Sequence, residues 1–220
     1  MENKTTPQRD ALGVILEELA PLSGRSVLDI GCGKGRLAAR LRAAGAAWRG
    51  LDPFAPEGVD AIDRASAEAM PYGDGSFDAA ICVNALHHVP VPAMARALSE
   101  AARVLRREGR LVVIEPRASG ALSRVLAVVD DETEIRNAAQ AAMDTTRALR
   151  EVTAYDYPRV ERYSGFQGFC DSLIAVDPGR AALIEANADA LRRAFERHAT
   201  RDDGAWLLSQ PMSVRIFQPV

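Results

Sequence analysis

The chain has 220 residues, 48% of them hydrophobic and 26% charged, with a formal net charge of −3. That length buries a core of ordinary size, and no basic block is long enough to track a phosphate backbone, which argues against nucleic acid as partner. No apolar run reaches membrane-spanning length and Met1–Thr6 carry no apolar signal stretch. Cys32, Cys82 and Cys170 are widely spaced and lack metal-ligand partners, so the expectation is a reduced, cytoplasmic protein with no membrane and no metal site.

Leu12, Ile15, Leu16 and Leu19 recur at helical spacing and predict a helix over residues 8–20, ended by Pro21 and Gly24. A first strand is expected over 26–31 and its helix over 35–44, closed by Gly45. A second strand, Ala47–Leu51, ends at Asp52. Pro53, Pro56 and Gly58 then break regularity before a short third strand over Val59–Arg64. Too few residues separate strands two and three for a crossover helix, so a loop or single turn is expected there. Residues 77–83 form a fourth strand, Pro92 sits in the first turn of a helix reaching about Arg107, and Arg110–Glu115 is a fifth strand after Gly109. This alternation predicts a doubly wound, mainly parallel α/β sheet. Beyond it, 118–150 reads as helical and 152–162 as extended. A helix over 166–175 follows, then a long helix from Pro178 capped by Asp177, and a final strand Val214–Phe217. A single domain is expected, with 118–200 packed over the C-terminal edge of the sheet.

The densest chemical signal is Val27-Leu28-Asp29-Ile30-Gly31-Cys32-Gly33-Lys34-Gly35. A buried strand runs into alternate glycines and a helix start, so the backbone can take positive φ and a ligand can approach without meeting a Cβ. The free N–H groups of the following helix are expected to face that ligand. A dinucleotide fingerprint, G-x-G-x-x-G, would need its third glycine at Arg36, and a P-loop needs a longer glycine interval and a Lys-Ser/Thr pair. Downstream, Asp52 closes the second strand. In a nucleoside-binding α/β fold a carboxylate there accepts hydrogen bonds from ribose hydroxyls, and nicotinamide enzymes use the same position.

The spacing Asp29-x-Gly31-x-Gly33-x-Gly35 closely resembles motif I of the class I S-adenosylmethionine (SAM)-dependent methyltransferases. That resemblance covers about residues 24–116 and implies a seven-stranded Rossmann-like sheet with helical acceptor-side elements. It implies SAM as cofactor and S-adenosylhomocysteine as product, held by Asp29, Gly31, Cys32, Gly33, Gly35, Asp52 and Pro53. Ala65–Asp78 is similar to the stretch that brings an acid-alanine pair to the adenine. Here Ser66 stands in the acid's place, Ala67 offers a backbone N–H, and Glu68 is either a cofactor contact or a solvated acid. Asn84 would meet the methionine portion through its backbone carbonyl.

Asn84-Ala85-Leu86-His87-His88 follows the fourth strand. Adjacent residues on a helical turn point about 100° apart, so the two histidines cannot serve one site, and a metal pair is not expected. The resemblance assigns His87 to the acceptor and leaves His88 as a core or cap residue. Glu115 either orients His87 or pairs with Arg117. Tyr155, Tyr157 and Tyr163 cluster in nine residues. Tyr155 and Tyr157 either wall a substrate pocket or form core on one face of an extended segment.

The expected function is methyl transfer from SAM to an oxygen or nitrogen of a small-molecule metabolite, by a monomer or homodimer. His87 would act as base and Glu115 would orient it. The rivals are a protein or RNA methyltransferase, a non-catalytic SAM- or nucleoside-binding protein, and an NAD(P)-dependent oxidoreductase.

Overall fold

The structure is a computed structural model and describes residues 9–220; Met1–Thr6 and the expected helix start at residue 8 lie outside the described residues. The chain gathers into two compact units, where a single domain was the expectation from sequence. One comprises Arg9–Glu115, Ala138–Asp156 and Ser213–Val220; the other includes Pro116–Asn137 and Tyr157–Met212.

In the first unit, helix α1 (Ala11–Leu19) is capped by Asp10, whose carboxylate accepts from Gly13 N–H at 2.7 Å, and buries Leu12, Val14, Ile15 and Leu19. Strand β1 (Ser26–Ile30) is buried on both faces, the pattern of a central parallel strand. It pairs in parallel with β2 (Ala47–Leu51) on one side and β4 (Phe77–Val83) on the other. Strand β3 (Ile62–Asp63) pairs in parallel with β2, and β5 (Leu105–Pro116) with β4. The sheet order is β3-β2-β1-β4-β5-β8-β6, with β6 spanning Leu149–Tyr163 and β8 Ala205–Pro219. The mainly parallel sheet matches the expected class, and its continuous path has the seven strands anticipated. An eighth, β7 (Thr200–Asp202), pairs antiparallel with β8 off that path.

Several boundaries differ from the sequence expectation, each for a local reason. Helix α2 begins at Ala38, not 35, because Gly31, Gly33 and Gly35 all take positive φ and prolong the turn. Strand β3 keeps two residues of the six expected: Gly58 is left-handed and Val59 is 40% exposed, so the earlier residues do not join the sheet. Helix α3 (Val91–Val104) stops three residues early, and β5 starts at once. The β4–β5 register passes from Phe77↔Leu105 to Ala79↔Arg110, so Arg106–Gly109 are taken up as an irregularity.

The second unit holds α4 (Ala121–Leu126) and the start of α5 (Thr133–Thr145), which replace the helical stretch expected over 118–150. Helix α6 (Phe166–Val176) agrees with its prediction, but the long helix after Pro178 is two, α7 (Arg180–Ala186) and α8 (Ala188–His198). Asn187, at φ −117° and ψ 18°, breaks them and bonds its side-chain N–H back to Leu183 O. Asp177 accepts from Gly179 N–H at 2.9 Å, a local turn ahead of the helix. The core here is aromatic: Phe169 and Phe195 are fully buried with centroids 5.2 Å apart, and Tyr163, Phe166 and Trp206 surround them. Strand β8 begins nine residues before Val214. Asp203 (φ 43°) and Gly204 (φ 73°) make the two-residue hairpin turn that joins it to β7, and this Asp-Gly pair is a hairpin signal that the sequence reading left unused.

The sheet unit's core surrounds Leu28, which is fully buried on β1. Leu28→Ala is expected to lower unfolding free energy by ~2–5 kcal/mol, through lost transfer energy and an unfilled cavity. Urea denaturation followed by circular dichroism checks this.

Candidate functional site

Parallel strands carry their chain exits to one edge, and ligands bind in the crevice outside those carboxyl ends. Four exits meet here: Gly31–Gly35 after β1, Asp52–Phe54 after β2, Ala65–Glu68 after β3 and Asn84–Pro90 after β4. They enclose a cavity of about 630 Å³, all of whose lining belongs to the sheet unit. Helix α3 adds Ala97, Leu98 and Ala101 to its wall.

The glycine loop is tied inward. Gly31 and Cys32 N–H both donate to Leu51 O, at 2.8 and 3.2 Å, and Gly35 N–H donates to Cys32 O at 2.9 Å. Gly33 N–H donates to Asp52 Oδ2 at 2.8 Å. The expected row of open amides is therefore not what the loop presents. The N–H groups of Gly31, Cys32, Gly33 and Gly35 are spent on Leu51, on Asp52 and on the loop itself. What remains is bare backbone. A Cβ on Gly31 (φ +70°) would lie 2.4 Å from Ala85 Cβ, so this glycine permits the β1 and β4 exits to touch. A Cβ on Gly33 (φ +56°) would project into open space, so that glycine answers to backbone conformation alone.

Asp52 lines the cavity and also accepts from its own turn, Phe54 N–H to Oδ1 at 2.8 Å. Pro53, Ser66, Ala67, Glu68, Asn84 and Gly31 line the cavity too. Asn84 sits at φ 50°, a left-handed conformation that asparagine tolerates better than most residues. Asp29, Cys32, Gly33 and Gly35 are not lining residues. Asp29, 3% exposed, lies behind the loop and accepts from Trp48 Nε1–H at 3.1 Å. Burial, opposed by that hydrogen bond and aided by the Asp52 charge, pushes its carboxyl up to about 7. Burial and the same two carboxylates push the Cys32 thiol up to about 12.

The histidines exchange the places expected of them. His88 is exposed and lines the cavity, whereas His87 is 5% exposed and does not. His87 Nδ1 bonds Glu115 Oε2, and the ring stands 4.1 Å from that of His88. Glu115, at the end of β5 and 1% exposed, also accepts from Ala85 and Leu86 N–H through Oε1, at 2.9 and 2.8 Å. The carboxylate thus pins the exit of β4 and selects the His87 tautomer that carries its proton on Nδ1. Tyr155 donates to Glu18 Oε1 at 2.8 Å and Tyr157 is buried; neither lines the cavity. Sequence reading missed Phe54, which is 91% exposed on the cavity rim, although an aromatic directly after Asp52-Pro53 was a usable sign. It also missed the α3 residues, whose role depends on how that helix packs.

A family profile described as a methyltransferase domain matches residues 28–113. An uncharacterized methyltransferase of Mycobacterium tuberculosis is 38% identical over 108 residues, covering 45% of this chain and 43% of that protein. A ubiquinone biosynthesis O-methyltransferase of Cronobacter sakazakii is 30% identical over 152 residues, covering 63% of this chain and 61% of its own length. The chain thus spans about two-fifths to three-fifths of the length of these curated relatives. In fold it is similar to the YcgJ protein of Bacillus subtilis, with a TM-score of 0.62 at 21% identity over 94% of this chain and 97% of that one.

Asp29 gives a pH signature. Its folded value is raised, so between about pH 4 and pH 7 the unfolded chain releases this proton first and the native state does not. Its contribution to stability therefore falls as pH rises through that window and is constant above it. Asp29→Asn should remove this component. The difference in urea-unfolding free energy between variant and wild type, measured from pH 4 to 8, should shift towards the variant as pH rises; a flat difference contradicts the assignment.

Proposed function

We propose that this chain is a class I SAM-dependent methyltransferase and transfers a methyl group from SAM to an oxygen or nitrogen of a small-molecule acceptor, a reading supported by the methyltransferase-domain profile over residues 28–113 and by relatives named as methyltransferases. The observation that carries the reading is the convergence of Gly31, Asp52, Ser66–Ala67 and Asn84 on the lining of one cavity. The residues fit the cofactor. Asp52 offers carboxylate oxygens to the ribose hydroxyls, Ser66 Oγ and the Ala67 backbone meet the adenine edge, and Gly31 and Asn84 hold the methionine end. Glu68 adds a second carboxylate on the wall, and Pro53 bounds the ribose. Asp29, Cys32, Gly33 and Gly35 contribute by shaping the loop.

Bound there, SAM supplies a methyl group on a sulfonium, a donor that needs alignment more than activation. The chain's own work is to hold an acceptor in line with that methyl and, for a hydroxyl acceptor, to take its proton. His87 is proposed as the base: Glu115 holds Nδ1, which leaves Nε2 to accept. A second reading gives the proton to His88, because that ring lines the cavity. Neither Tyr155 nor Tyr157 is retained as an acceptor contact. A small-molecule acceptor accords with the net charge of −3 and with a relative named as an O-methyltransferase of ubiquinone biosynthesis.

Two measurements test this. S-adenosylhomocysteine should raise the melting temperature while NAD and NADP leave it unchanged, and an acceptor from a metabolite extract should return heavier by one methylene unit. Stabilisation by NAD or NADP alone would sink the reading in favour of an oxidoreductase. With an acceptor in hand, His87→Ala should lower kcat at saturating substrates by ~10²–10⁴-fold. If His88→Ala takes that loss and His87→Ala does not, the base is His88.

A further inference from the structure

The cavity wall at Ala65–Glu68 is a loop with little hydrogen bonding of its own. Within it Ala69 N–H donates to Ser66 O at 3.1 Å, and at its entry Ala65 N–H donates to Asp63 O at 3.2 Å. Its downstream end is gripped by helix α3. Glu100 Oε2 accepts from Met70 N–H at 2.9 Å, and Arg103 donates to Met70 O at 3.2 Å and to Tyr72 O at 2.7 Å. Glu100 and Arg103 are themselves joined by a two-pronged pair, Nε to Oε1 at 2.7 Å and Nη2 to Oε2 at 2.8 Å. Arg103 also reaches Asp74, and its carbonyl accepts from Gly75 N–H at 3.0 Å. The entry is braced in turn, because Tyr72 donates to Asp63 Oδ2 at 2.7 Å and Asp63 is ion-paired with Arg49.

We propose that Glu100 and Arg103 are positioning residues for the cofactor, setting the distance between the Ser66–Ala67 wall and the opposite side of the cavity; this rests on the reading that the cavity holds SAM. The same helix lines the cavity through Ala97, Leu98 and Ala101. One helix therefore supplies part of the pocket and holds the downstream end of the Ala65–Glu68 wall. Both faces of the backbone at Met70 are used, its N–H by the acid and its C=O by the guanidinium. Losing either partner frees one strand of the clasp; without Arg103 the Glu100 carboxylate loses its ion pair, and without Glu100 the guanidinium keeps only Asp74 as an ion-pair partner among the described residues. Neither side chain lines the cavity, so their effect passes through the loop.

The test pairs amide hydrogen exchange over residues 65–70 with the affinity for S-adenosylhomocysteine, in wild type, Arg103→Met, Glu100→Leu and Glu100→Gln. Arg215→Met serves as control, since Arg215 binds Asp144 and Glu151 in the same unit without lining the cavity. Arg103→Met and Glu100→Leu should speed exchange at 65–70 by ~10-fold or more and weaken binding by ~10-fold. Once the cofactor is saturating, kcat should return to within about twofold of wild type, the loss residing in KM. Glu100→Gln keeps a carbonyl oxygen for Met70 N–H and should fall between; it also decides the matter if the other two do not fold. Arg215→Met should change neither readout. Unchanged exchange and affinity in the folded Glu100 and Arg103 variants would overturn the proposal. A wild-type protein that does not bind S-adenosylhomocysteine would overturn the donor reading, and exchange would still report whether the clasp holds the loop.

Discussion

Parallel pairing on both sides of β1 is the constraint from which the site follows. With β2 and β4 running in the same direction as β1, and β3 and β5 beyond them, these five strands leave the sheet at the same edge. Each exit must reverse direction beside its neighbours, so the loops crowd together and their polar groups have to be satisfied among themselves. Gly31 is the clearest consequence. The exits of β1 and β4 approach so closely that a single methyl group at this position would collide with Ala85.

Three acids at three strand ends show how burial divides labour among like residues. Asp52, partly exposed, ties the glycine loop and its own turn while keeping a face on the cavity. Glu115, almost fully buried, spends both oxygens on Ala85, Leu86 and His87, and so converts the end of β5 into a brace for the end of β4. Among the described residues Asp29 has a single side-chain hydrogen-bond partner, Trp48, and burial draws its carboxyl towards the neutral form. A buried carboxylate with three charge-assisted bonds is compensated for its lost hydration; one with a single neutral donor is not.

The order of the first five strands, the helix before them and the loop in place of a crossover helix between β2 and β3 were all legible from apolar runs, glycine and proline. So was the proximity of Asp52, Ser66, Ala67 and Asn84, because residues at the ends of parallel strands share an edge whatever their packing. The exchanged places of His87 and His88 were not legible. They depend on which ring the Glu115 carboxylate reaches, 28 residues away in the chain. The split of the helix after Pro178 turns on Asn187, a residue that helices tolerate elsewhere, and the β7–β8 hairpin was written in Asp203-Gly204 but went unread.

Local chemistry thus decided, from the sequence by itself, that strands alternate with helices, that a glycine turn opens a ligand site and that an acid closes the second strand. These depend on neighbours within a few residues, where periodicity, turn conformation and charge are all visible. Only the tertiary structure decided which backbone amides are already spent, which histidine is covered, and that Glu100 and Arg103 clasp the loop opposite them. Those outcomes depend on distances between segments far apart in the chain, and a hydrogen bond is made or lost over less than an ångström.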